Sequence, residues 1–174
     1  MITGYIEVYN RGPAKQTAWY AWVLETHLKN GDLYTKEGYG RLTNTPNAIA
    51  IQALTEMLGR FNKPSEIHIR TNSRYLEGMI GAGYVQRWSQ NDWQSSSGQD
   101  VKNRELWEEA WKAMEHHQIT IEYIDKSSYT AVLQREVKTR EEKSKDTEWK
   151  EFLEREWKTL EKTMGDILGG AACA

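Results

Sequence analysis

The stretch Ile67-His68-Ile69-Arg70-Thr71-Asn72-Ser73-Arg74-Tyr75-Leu76-Glu77-Gly78 constrains this chain more than any other. The β-branched residues Ile67, Ile69 and Thr71, placed after the breaker Pro64, predict a buried strand. Ser73 is a ready N-cap for a helix carrying Tyr75, Leu76, Met79 and Ile80 at helical spacing. Ligands of α/β sheets sit at the carboxyl end of such a strand. A carboxylate there would point at a metal or a substrate. Here the residue is an amide, Asn72.

The elements around that strand follow in order. Residues 2–9 alternate as a first strand, and Asn10-Arg11-Gly12-Pro13 breaks it. Residues 17–27 and 33–42 form a second and third strand around an Asn30-Gly31-Asp32 turn. Thr45 caps a helix with Pro46 at its first position, and Ile49, Ala53, Leu54, Met57, Leu58 and Phe61 give it one apolar stripe. After the central strand and its helix, residues 88–100 are a polar, Ser- and Gly-rich excursion. A helix over 101–115 faces Leu106, Trp107, Ala110, Trp111 and Met114 inward, and residues 119–124 alternate as a fifth strand. From about Thr130 onward the pattern is helical and highly charged. The predicted fold is α/β: a mixed five-stranded sheet, three antiparallel strands and then parallel ones, flanked by helices.

The 174 residues, 39% hydrophobic and 28% charged, suit one domain with a real core and an appendage. We expect a domain over 1–137 and a charged amphipathic helical extension over 138–174. A formal charge of −2 gives no global field for nucleic acid, which leaves room for a local basic groove. The single Cys173 excludes a disulfide framework or a Cys-based metal site. No apolar run approaches the ~18–20 residues of a membrane span, and no leader pattern opens the chain, so cytoplasm is the expected compartment.

In order and spacing, these words resemble ribonuclease H of type 1, over roughly Tyr5 to Val137. Thr71-Asn72-Ser73-Arg74-Tyr75-Leu76 resembles the family's T-D-S-x-Y-V. Trp88, Trp93, Gly98, Val101-Lys102-Asn103 and Leu106-Trp107 follow its handle in ungapped register, and His117-Gln118-Ile119 resembles its H-Q-I. The resemblance implies the RNase H-like fold and a site of four carboxylates around two divalent ions, Mg²⁺ or Mn²⁺. Such hard cations need anionic oxygen ligands. At the matching positions this sequence has Arg11, Ala48 and Asn72, and only Glu136 lies near the fourth. A guanidinium, a methyl and an amide do not hold two divalent cations, so no catalytic residue, metal or cofactor is expected. Glu7, Asp125 and Glu136 are the acids that a relocated site would have to use.

Some substrate-contact positions survive. Tyr39 to Asn44 resembles a phosphate-gripping loop in which Arg41 pairs with phosphate while Thr43 and Asn44 donate hydrogen bonds. Trp88, Trp93, Lys102 and Asn103 match the handle that seats a hybrid, although Ser89-Gln90-Asn91-Asp92 carries no positive charge. Binding of an RNA/DNA hybrid or other nucleic acid is then expected to be weak. The His116-His117 pair reads as structural. In the extension, Trp149, Leu153, Trp157, Leu160, Met164 and Ile167 recur at three- and four-residue steps. That stripe either packs on its own domain or meets a partner, another copy or a different protein. Three functions stay open. They are a non-catalytic nucleic-acid-binding or assembly module, a hybrid-cleaving ribonuclease with relocated acids, and a protein scaffold that binds no nucleic acid.

Overall fold

The computed structural model describes residues 1–10 and 12–170, with side-chain surroundings given up to residue 163. Strands β1 (Ile2–Tyr9), β2 (Gln16–His27) and β3 (Leu33–Asn44) are followed by α1 (Pro46–Leu58), β4 (Glu66–Thr71), α2 (Arg74–Gly81), α3 (Tyr84–Gln90), α4 (Arg104–Met114), β5 (Gln118–Tyr123) and α5 (Thr130–Gly170). The five strands make one sheet in the order β3-β2-β1-β4-β5. β1 and β2, and β2 and β3, pair antiparallel, whereas β4 runs parallel to both β1 and β5. The expected mixed sheet is therefore present. Two compact units divide the chain, Met1–Leu133 and Gln134–Ala174.

Within the first unit the core lies between one sheet face and α1 with α4. Ile6, Val8, Trp22, Ile67 and Ile69 project from the strands to meet Ile49, Leu54, Met57, Leu76 and Trp107. Thr45 caps α1 and Pro46 opens it, as the sequence predicts. The buried face of α1 is wider than one stripe: Ala48, Ala50 and Ile51 are buried as well, because sheet and α4 cover it from two sides. The helix stops at Leu58 rather than near Phe61. Similarly, α4 begins at Arg104 rather than Val101, because Asn103 is in the left-handed region, with φ 61°. Gly83, at φ 69°, separates α2 from α3, so Trp88 lies on a short helix and not in the polar excursion.

The edge strand β3 is held by aromatic cover. A Cβ added to Gly38 would lie 2.3 Å from the Trp22 ring, and one added to Gly40 2.1 Å from Tyr20. These glycines are gaps into which rings from β2 fold, which leaves the edge without exposed side chains at those two places. His117 is structural, as expected: its Nδ1 accepts the Ser65 N–H at 3.1 Å, and its ring meets Phe61 edge-on at 5.2 Å. Burial pushes its pKa below the ordinary histidine value. Gly38→Ala should displace the Trp22 ring and cost about 1–3 kcal/mol. Urea denaturation would measure it, and an unchanged midpoint would mean that the ring does not need the gap.

Candidate functional site

Asn72 directly follows β4, and its backbone N–H still donates to Ile6 O at 3.3 Å. The next rung of the parallel ladder is made by its side chain. Val8 N–H donates to Asn72 Oδ1 at 2.9 Å, and Asn72 Nδ2 donates to Val8 O at 3.2 Å. The carboxamide thus replaces a peptide group between β1 and β4, while the backbone turns into α2 beneath the Ser73 cap. The two ends of the amide match the two backbone groups of Val8 in only one orientation. Its oxygen is therefore committed to a backbone donor and does not face outward toward a ligand.

Acids and a base lie near this strand end: Glu7 is buried on β1 between Ile6 and Val8, the two residues that Asn72 bonds. Arg74, the first residue of α2, places its guanidinium 3.7 Å from the Tyr123 ring centre. The Tyr123 hydroxyl donates to Asp125. Ala48 is fully buried and its methyl offers no donor. Glu136 pairs with Arg140 one turn further along α5, at 3.1 Å, within the second unit. Arg11 lies outside the described residues. Among the described residues no three His, Cys, Asp or Glu side chains form a metal-holding group.

One of the acids named from sequence is deeply engaged. Glu7, on β1, is only 4% exposed. Its Oε2 accepts from the Tyr9 hydroxyl at 2.8 Å, and its Oε1 from Thr130 at 2.5 Å and Ser127 at 3.1 Å. These hydroxyls supply the hydrogen bonds that burial of a carboxylate requires. Beside it, Tyr5 packs edge-on against Tyr129 at 5.0 Å, and the Tyr129 hydroxyl donates to Glu25. Burial first, and Glu7 second, push the Tyr9 phenol far above its ordinary pKa; burial and Glu25 do the same to Tyr129. The strand period marks this cluster, because Glu7 alternates with Tyr5 and Tyr9 on the sheet face opposite Ile6 and Val8.

The residues matched to nucleic-acid contacts are dispersed. Residues 39–44 belong to β3 and are not a loop, which corrects the expectation: Arg41 pairs with Trp19, Thr43 with Thr17 and Asn44 with Gln16. Arg41 and Thr43 share a sheet face, and Asn44 points to the other. The Thr43 hydroxyl bonds that of Thr17 at 2.6 Å, and Asn44 Oδ1 accepts Thr45 N–H at 2.9 Å. Trp88 stacks on Tyr84 and leans on Trp107, with ring centres 5.8 and 6.2 Å away. Trp93 is partly buried against the same core, and its backbone N–H donates to Trp88 O at 2.8 Å. These two rings pin the handle. Lys102 is exposed ahead of α4, and Asn103 Nδ2 is buried without a partner.

The sheet order, its parallel β1-β4-β5 half and the polar strand end at Asn72 define an RNase H-like α/β protein. The RNase H family model matches residues 9–129. The chain belongs to the RNase H family. Ribonuclease HI of Synechocystis sp. is 31% identical over 87 residues, which is 50% of this chain and 53% of that protein. The chain spans about half the length of the curated relatives it matches. Among solved structures, LC9-RNase H1, a type 1 RNase H with the type 2 active-site motif, is similar with a TM-score of 0.62 at 20% identity, over 76% of this chain and 69% of that one. The foamy viral protease-reverse transcriptase in complex with an RNA/DNA hybrid is similar with a TM-score of 0.55 at 17% identity, over 75% of this chain and 18% of that one. These two structural likenesses concern the fold alone.

The two divalent ions of the hydrolytic chemistry do not fit this donor set. The Asn72 carboxamide is neutral and makes two hydrogen bonds to Val8, Ala48 has no side-chain oxygen to offer, and the Glu7 carboxylate, a single acid, accepts from three hydroxyls. Asn72→Asp tests the bonding directly. The carboxylate keeps the Val8 N–H, loses the donor to Val8 O and sets an anionic oxygen against that carbonyl. A loss of about 1–3 kcal/mol is expected near neutral pH. The repulsion raises the new carboxyl's pKa in the folded state, so the deficit should shrink as pH falls through that value and the group gains a proton. Stability that stays equal to wild type across the pH range would contradict the assignment.

Proposed function

We propose that this protein is a non-catalytic member of the RNase H family, a nucleic-acid-binding or assembly module. The observation that carries the reading is the closed Asn72 carboxamide at the carboxyl end of β4. Arg11 and Ala48 at the other matched positions support it from sequence. In this reading no metal-dependent step occurs, and the fold is kept as a platform. Arg41 and Thr43 on one face of β3, with Lys102 at the start of α4, offer a few phosphate contacts. Hybrid binding is then weak and steeply salt-dependent. The boundary near residue 138, with a helical extension beyond it, is part of the same proposal. No helix among the described residues is long and apolar enough to cross a membrane.

A second reading draws on the names of the relatives, which are ribonucleases H. It makes this chain a hybrid-cleaving enzyme whose acids have moved, and it needs carboxylates such as Glu7, Asp125 and Glu136 to serve. The observations favour the first reading, because Glu7 is buried under three hydroxyls and Asp125 is bonded to Tyr123.

Incubation with a labelled RNA/DNA hybrid in Mg²⁺ or Mn²⁺ separates the two. We expect no RNA cleavage above a protein-free control; chelator-sensitive cleavage would overturn the proposal. Hybrid binding followed against salt, for wild type and Arg41→Ala, then tests the platform role. We expect weak binding, lowered in the variant by roughly the share of one phosphate contact. No binding at low salt would leave a protein scaffold.

A further inference from the structure

The strongest unassigned surface lies in the second unit. Along α5, Trp149 is 60% exposed, Phe152 43%, Leu153 48%, Trp157 64% and Leu160 56%. Trp149 and Phe152 stack on each other at 5.4 Å. Phe152 widens the stripe read from the sequence, and the Met164 side chain lies outside those described. Five large apolar residues over three turns of helix form the kind of patch that soluble proteins cover. The charges along its borders indicate what covers it.

At 3.6 residues per turn, Lys150 and Glu161 lie on the same border of the apolar face, beside Trp157. The Trp157 Nε1 donates to Glu161 Oε1 at 2.8 Å and holds that carboxylate at the border. Glu154 lies further round on the same side, and Glu156 lies on the opposite side, between Trp149 and Phe152. Lys158, Lys162 and Arg155 occupy the far side of the helix.

We propose that α5 pairs antiparallel with α5 of a second copy of this chain through the face that carries Trp149, Leu153, Trp157 and Leu160. In an antiparallel pair each border meets the same border of its mate, whereas in a parallel pair opposite borders meet. The parallel arrangement sets Glu154 and Glu161 against the partner's Glu156, a like-charge contact on both sides. The antiparallel arrangement with its two-fold axis between Arg155 and Glu156 sets Lys150 level with the partner's Glu161. Symmetry gives this pair twice. In the same register Leu153 enters the gap between the partner's Trp157 and Leu160, and Trp157 enters the gap between the partner's Leu153 and Trp157. Two unfavourable contacts remain, Glu156 against the partner's Glu156 near the axis and, further from the seam, Glu154 against the partner's Glu154, about 4.5 Å apart along the helices. The acidic borders also oppose an alternative occupant, an anionic lipid surface.

Sedimentation equilibrium of the full chain tests this, up to about 100 µM, where a micromolar association is largely complete. Wild type should form a dimer. Trp157→Ala with Leu160→Ala should weaken it by ~100-fold or more, because both are central anchors. Lys150→Glu and Glu161→Lys should each weaken it by roughly 3- to 10-fold, as two solvent-exposed ion pairs are reversed. The double variant Lys150→Glu/Glu161→Lys should bind more tightly than either single variant, short of wild type by the lost Trp157 bond to Glu161, and Glu156→Gln should tighten association. All the altered side chains are exposed, and circular dichroism would verify the helix. A monomer throughout the range would overturn the proposal, whether or not it co-sediments with phosphatidylserine vesicles. Failure of the double variant to rescue would overturn the antiparallel register.

Discussion

A parallel pair of strands usually ends where the backbones diverge, and here one carboxamide carries the pairing a rung further. Asn72 gives Val8 both a donor and an acceptor just after Thr71 leaves the ladder. The constraint is stringent. The group must be neutral, must present nitrogen and oxygen in the plane of the sheet, and must sit where β4 becomes α2. Asparagine meets those conditions, and an ionised aspartate does not. A carboxylate that reaches out to a cation has to leave at least one Val8 group unbonded. The same strand end can thus serve the sheet or a metal ion, and in this chain it serves the sheet.

The other side of β1 is arranged in a related way. A buried acid can be a reactive group when its oxygens are free, but Glu7 is bonded to Tyr9, Ser127 and Thr130. Those bonds tie β1 to the turn that starts α5, and the Tyr5–Tyr129 contact packs beside them. The handle tryptophans are likewise engaged, Trp88 with Tyr84 and Trp107, and Trp93 with the backbone of Trp88. Across these regions, polar and aromatic groups hold this protein's own elements together.

Much of the architecture was legible because its signals are local. The β-branched run 67–71 with the Ser73 cap, Pro46 after Thr45, and the alternation in β1 and β5 each have a single reading at the level of sequence. Boundaries moved where backbone conformation decides and composition does not. Asn103 in the left-handed region delays α4, and β3 runs on through Asn44 because β2 continues to offer pairing partners to Gln16. At the site, the identity of Asn72 was plain from its place after Thr71. Its bonding to Val8 was not, because the partner is 64 residues away. The Glu7 cluster depended on hydroxyls more than a hundred residues downstream, so only the strand period hinted at it. Phe152 needed the helix itself to show that it stacks on Trp149.

The account turns on whether the strand end at Asn72 can seat paired divalent ions. Anomalous scattering from crystals soaked in manganese reads this without reference to any substrate. The bonding described here predicts no manganese peaks beside the carboxyl end of β4, with the carboxamide still on Val8. Two peaks about 4 Å apart in that place, with Asn72 turned toward them, would contradict it.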